Sequence, residues 1–263
     1  MATPDPSPPV DPAVLSIDGA IATLTLNRPS AFNAIDLPIA RTLERLAAEV
    51  EADASIRVLI IEGAGRAFCA GGDLQTLAAN VDNIAPVVSE LLRHYHGFIT
   101  SLRRMDKIVL SSVHGSAAGA GLSLAFMADI CIAAEDARFT PAYGKLGVSP
   151  DGGGTAGVVA AVGIRRAMQI FLAEESFTAA QAYDWGLVAK VVPAIELKAA
   201  TRELAQRLAR NAPAALKATK ALIHHSPSNP IEAQLDAEKD AIIGCMQTAE
   251  FRAAAKKFVS KGK

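Results

Sequence analysis

The stretch Arg57-Val-Leu-Ile-Ile-Glu62 runs directly into Gly63-Ala-Gly-Arg-Ala-Phe-Cys-Ala-Gly-Gly-Asp-Leu74. An unbroken apolar run bounded by charges reads as a strand buried on both faces, the kind found in parallel sheets covered by helices. The glycines behind it allow tight turns and bring backbone N–H groups close to a ligand. Upstream, Val14–Asp18 and Ile21–Leu26 are β-rich runs separated by Gly19, a hairpin pattern that leads into a loop over Asn27–Asn33. Asp36 then opens a helical pattern with Leu43, Leu46, Ala47 and Val50 on one face.

Downstream the alternation continues. Ile84 to Met105 predicts a helix, Ile108–Val113 a second buried strand, Gly115 to Ala128 a helix of small residues, and Ile130–Ala133 a third strand. Gly147 to Gly154 reads as another glycine-rich loop before a helix, and the last strand falls at Val188–Val192. Strand, loop and helix in this order imply an α/β architecture with parallel pairing. From about Ile195 the pattern is helical only, with turn signals at Asn211-Ala-Pro213 and Ser226-Pro-Ser-Asn-Pro230. The expected organisation is a disordered, proline-rich tail at 1–12, an α/β core at 13–194 and a helical subdomain at 195–263. Leu204, Leu208, Leu216, Leu222 and Ile242 exceed what one core needs and predict assembly with further copies.

Composition narrows the function classes. With 263 residues and 51% hydrophobic content the chain can bury a full core. A net charge of -1 argues against a nucleic-acid binder, so an anionic ligand must be held by local positive groups. Cys69, Cys131 and Cys245 are far apart and show no CxxC spacing, which argues against a zinc site or a disulfide framework, and no metal site is expected. Met1 to Pro12 lacks the basic and apolar regions of a signal peptide, and no apolar run is read as long enough to span a bilayer. A cytoplasmic protein without membrane partners is expected.

The chemistry is sought where glycines follow buried strands, at Phe68-Cys-Ala-Gly-Gly-Asp-Leu74 and at His114-Gly-Ser-Ala-Ala-Gly-Ala-Gly-Leu122. Two N–H groups converging from such loops make an oxyanion hole, although single glycines serve tight turns equally well. Gly115, Gly119 and Gly121 have the wrong spacing for a dinucleotide fingerprint. Gly121-Leu-Ser-Leu124 lacks the second glycine of a nucleophile elbow, so Ser123 reads as a helix residue.

Together, Asn27-Arg-Pro-Ser-Ala-Phe-Asn-Ala34, Gly63 to Leu74, Val113 to Ile132, Lys145 to Thr155 and Ala179 to Val188 resemble the successive signatures of the crotonase, or enoyl-CoA hydratase/isomerase, family. The resemblance implies a spiral of ββα units followed by helices that build trimers, often paired into hexamers. It implies an acyl-CoA thioester as substrate, no separate cofactor, and an oxyanion hole from the backbone N–H groups of Gly72 and Ala120. Asp73 reads as a helix cap. At the positions where the family's hydratases resemble one another in using two glutamates stand Ser123 and Tyr143, neither a carboxylate. Asp151 instead stands where the family's enoyl-CoA isomerases, and the epoxide isomerases of phenylacetate breakdown, carry a single acid. The resemblance therefore favours isomerisation, with hydration, 4-chlorobenzoyl-CoA dehalogenase-like chemistry and a non-catalytic acyl-CoA binder as alternatives. In the dehalogenase alternative Asp151 is a nucleophile, Tyr143 the aromatic donor and His96 the histidine. The coenzyme is implied to contact Arg28, Ala31, Phe32, Ala70, Phe258 and Lys261, the last as a phosphate partner.

Overall fold

The computed structural model describes residues 11–261, so most of the expected tail at 1–12 lies outside the described residues. Strands β1 (Ala13–Asp18) and β2 (Ile21–Leu26) form the antiparallel hairpin, turning through Gly19 and pairing Asp18 with Ile21. The sheet then extends in parallel through β3 (Val58–Gly63), β4 (Ile108–Val113), β6 (Ile130–Ala134) and β9 (Lys190–Val192), giving the order β1-β2-β3-β4-β6-β9. Helix α1 (Leu37–Ala52) makes the crossover from β2 to β3; α2 (Leu74–Ala79) and α3 (Ile84–Arg104) make that from β3 to β4.

The apolar run at β3 is continuous because both faces of the sheet are covered. Leu59 and Ile61 face a core shared with Ile39, Leu43 and Val50 of α1 and Tyr95, Phe98 and Leu102 of α3. Val58 and Ile60 face the other side, with Ile108, Leu110 and Ala205 of α7 (Leu197–Ala209). Leu204, Leu208 and Leu216 also pack there, so these three serve the chain's own sheet rather than forming the surplus expected of them. Asp36 caps α1 by accepting from the Ile39 N–H at 3.0 Å, as its sequence position predicts.

Two stretches depart from the sequence reading. Ser116–Ala118, expected as helix, forms β5, pairing in parallel with β7 (Arg138–Thr140), which pairs antiparallel with β8 (Phe177–Thr178) in a second small sheet. Runs this short carry no periodicity to read. The helix that follows β5, α4 (Ala120–Met127), is buried on all sides. The second departure is α5 (Gly154–Leu172), which by length and composition is apolar enough to cross a membrane, against the expectation of no such run. Its backbone breaks at Gly163, and Arg165 and Arg166 follow the break.

After α6 (Ala179–Asp184) and β9 the chain is helical through α7, α8 (Pro213–His225), α9 (Ile231–Met246) and α10 (Ala249–Lys261). Helix α8 is anchored to the core by Lys220, whose Nζ donates to the Leu102 and Lys107 carbonyls and meets Asp129 at 2.8 Å. Beyond it, Ile223, Ile231, Leu235, Ile242, Ile243, Met246, Phe258 and Val259 are exposed.

Candidate active site

Two glycine corners abut, one in the loop between β3 and α2 and the other between β5 and α4. Gly71 (φ +97) and Gly119 (φ +49) both sit in backbone regions that favour glycine. A Cβ on Gly71 would lie 2.7 Å from the Ala118 carbonyl oxygen and 3.4 Å from the Ala120 nitrogen, so no side chain fits. Gly72 and Ala120 follow these corners. Among the described residues neither backbone N–H finds an acceptor, while neighbouring N–H groups of Ala70, Asp73 and Gly119 all do. Two unmatched donors side by side, one at the N-terminus of α4, suit a developing negative charge on oxygen.

The loop between β2 and α1 braces this corner. Asn33, fully buried at φ +57, accepts the Arg28 N–H and donates to the Ala67 carbonyl at 2.8 Å, tying the two loops together. Its structural part was missed in the sequence, where an asparagine tolerant of positive φ within a loop was the available signal. Arg28 bonds Asp36 and Asp73 at 3.0 Å each, so its guanidinium is engaged within the loops. Asp73 caps α2 by accepting from the Thr76 N–H; burial raises its carboxyl, but that bond and Arg28 outweigh it and hold the group below its ordinary range.

At the rim the exposed Phe32 carries Arg66 4.4 Å above its ring, beside Ala31 and the exposed Ala70, whose N–H donates to the Phe32 carbonyl. Phe258 is largely exposed on α10, which packs against α9, and the Lys261 side chain lies outside the described residues.

The acid sits against the first turn of α4. Asp151 Oδ1 accepts from the Tyr143 hydroxyl at 2.8 Å, and that hydroxyl lies 2.9 Å from Ser123 Oγ. Burial and the charge of Asp151 push the Tyr143 phenol well above its usual range, so it remains a proton donor. The next residue, Gly152, packs so closely that a Cβ there would meet the Tyr95 ring at 2.8 Å and the Ser123 Cβ at 3.3 Å. Tyr95, a further residue missed in the sequence, is fully buried and donates to the Ala120 carbonyl at 2.8 Å, linking α3 to the donor turn. His96, exposed on the same helix, accepts from the Gly152 N–H at 3.3 Å.

Asp151, Tyr143, His96 and the Gly72 and Ala120 corner thus gather around one end of α4, whereas Arg28 is turned into the loop framework and Phe258 is remote in packing. Cys69, beneath the corner, is no nucleophile, because burial pushes its thiol up to about 12. A cavity of about 450 Å³ between α3 and α8 shares none of these residues. Its Lys220 and His224 are committed to Asp129.

The family model for enoyl-CoA hydratase/isomerase matches residues 16–263. The chain is 36% identical over 248 residues to 1,2-epoxyphenylacetyl-CoA isomerase of Escherichia coli, covering 93% of this chain and 94% of that protein. It is 31% identical over 251 residues to the short-chain-enoyl-CoA hydratase of Clostridium acetobutylicum, covering 95% of each. An enoyl-CoA hydratase structure from a Polaromonas species superposes with a TM-score of 0.90 at 32% identity, covering 95% of this chain and 97% of that one.

Proposed function

We propose that this chain, which belongs to the enoyl-CoA hydratase/isomerase family, shifts a carbon–carbon double bond in an acyl-CoA thioester using Asp151 as its single acid–base group. The observation that carries the reading is the surroundings of that carboxylate: it is bonded by one neutral hydroxyl, that of Tyr143, which is in turn bonded to Ser123, and among the described residues no second carboxylate joins this set. Hydration needs one group to activate water and another to deliver a proton, whereas a double-bond shift needs one group to carry a proton between two carbons.

In a 3-enoyl thioester the Asp151 carboxylate removes a proton from the α-carbon. The electrons of that C–H bond move onto the thioester carbonyl, giving a dienolate whose oxygen is held by the Gly72 and Ala120 N–H groups. The proton returns from Asp151 to the γ-carbon as the carbonyl re-forms, leaving a 2-enoyl thioester with every atom retained. One oxyanion donor contributes roughly 3–4 kcal/mol to such a step. A ring acyl-CoA isomerised through the same enolate needs the same parts.

Arg66 over Phe32 and the exposed Ala70 offer the coenzyme a cation, an aromatic face and a carbonyl edge at the rim. The exposed apolar residues of α9 and α10 support a trimer or dimer of trimers, in which those faces are covered. A second reading draws on His96 beside Gly152: with an aryl thioester, Asp151 would act as nucleophile. A panel of 3-enoyl-, 2-enoyl- and aryl-CoA thioesters tests these together. Fastest turnover of the 3-enoyl thioester, without added water in the product, is expected; faster hydration of the 2-enoyl thioester overturns the proposal.

A further inference from the structure

We infer that Ser123 is a positioning residue for Asp151, acting through Tyr143 in a one-way hydroxyl relay that fixes one carboxylate oxygen and leaves the other for the substrate. The inference rests on Asp151 being the proton carrier. Its direction follows from donor arithmetic. An ionised carboxylate only accepts, so the single proton of the Tyr143 hydroxyl goes to Asp151 Oδ1 at 2.8 Å. The Tyr143 oxygen can then only accept at its other contact, and the Ser123 proton must point to it across 2.9 Å.

Ser123 has the marks of a residue placed for this bond. Serine inside a helix ordinarily bonds back to the carbonyl four residues earlier. Here the Gly119 carbonyl receives the Ser123 backbone N–H, and Oγ goes to Tyr143 instead. Ser123 is fully buried, and among the described residues its hydroxyl has no other partner. Gly154 leaves room for it, since a Cβ there would lie 2.3 Å from Oγ. On the tyrosine side, Ala142 sits at φ +61, a region costly for alanine, immediately before the side chain being aimed. Hydrogen bonds in such a chain polarise one another by roughly 10–30% per bond, so the serine acts on the carboxylate without touching it. Oδ1 is thereby held, and Oδ2, which has no partner among the described residues, is the oxygen that meets the α-carbon.

A double-mutant cycle tests this, run on the thioester that wild type turns over best, with Asp151→Asn alongside. Ser123→Ala is expected to lower kcat about 2- to 10-fold, the worth of one neutral hydrogen bond, with KM unchanged. In the Tyr143→Phe background the same change is expected to do nothing further, because the relay is already cut. Ser123→Cys, close in volume and a weak donor, should fall between serine and alanine, which separates the bond from any packing loss. Equal effects of Ser123→Ala with and without Tyr143, or an unchanged kcat, overturn the relay even when Asp151→Asn is inactive. Turnover by Asp151→Asn overturns the relay together with the reading of Asp151 beneath it.

Discussion

Helix α4 has an aspartate associated with each end, and the two are held in opposite ways. Asp129, just past its C-terminus, is packed among charges: Lys220 at 2.8 Å, His224 at 3.0 Å and the Val109 N–H at 2.8 Å occupy both of its oxygens. Burial raises its carboxyl, and those partners outweigh burial and hold it below the usual range. Asp151, against the first turn, has one oxygen bound by a neutral hydroxyl and the other without a partner among the described residues. The same side chain is therefore a rivet in one place and available for chemistry in the other, and the neighbours decide which.

The largest expected effect separates the two. Asp151→Asn keeps the shape and removes the proposed base, and should lower turnover by about 10²- to 10⁴-fold while leaving thermal stability and acyl-CoA binding near wild type. Asp129→Asn should do the reverse. It leaves Lys220 buried without its counter-charge, which costs about 3–5 kcal/mol of stability in denaturant titration, with kcat of the folded fraction retained. A turnover loss at Asp129 equal to that at Asp151 would break the contrast.

Gly71→Ala sharpens it from the side of the proposed oxyanion hole. With φ +97 and a carbonyl oxygen 2.7 Å from the new Cβ, the corner must shift and carry the Gly72 N–H with it. A stability cost of about 1–3 kcal/mol is expected, together with a fall in kcat that a Gly19→Ala control, in open space at the hairpin, does not show. The smallest effect concerns acid. Because the folded carboxyl of Asp129 is depressed, its stabilisation is present above the unfolded value of about 3.9 and is lost as pH falls through the lower folded value. The urea midpoint should therefore hold steady down to about pH 4 and drop below it, and Asp129→Asn should flatten that drop.

Much of this frame was legible in the chain. The buried strands and the cap at Asp36 announce themselves through local pattern, and the glycine loops lie where strand ends are expected. The motif resemblance points to Gly72, Ala120 and Asp151 as the site residues from sequence alone. What stayed hidden is nonlocal or too short. Ser123, Tyr143 and Asp151 are separated by 20 and 8 residues and meet only once α4, β7 and the loop after it have packed. The strands of the second sheet run two or three residues, below any periodicity. Leu204 and Leu208 looked spare because nothing in a helical pattern says that it will return to cover the far face of the sheet.

In the proposed mechanism one carboxylate moves one proton at the α-carbon of a bound thioester. The most direct measurement is exchange of the α-hydrogen of an acyl-CoA in deuterated water, followed by NMR for wild type and for Asp151→Asn. Enzyme-dependent exchange is expected in wild type, and it should disappear, together with double-bond shift, in Asp151→Asn while the thioester still binds. Exchange and shift that persist in Asp151→Asn would contradict it.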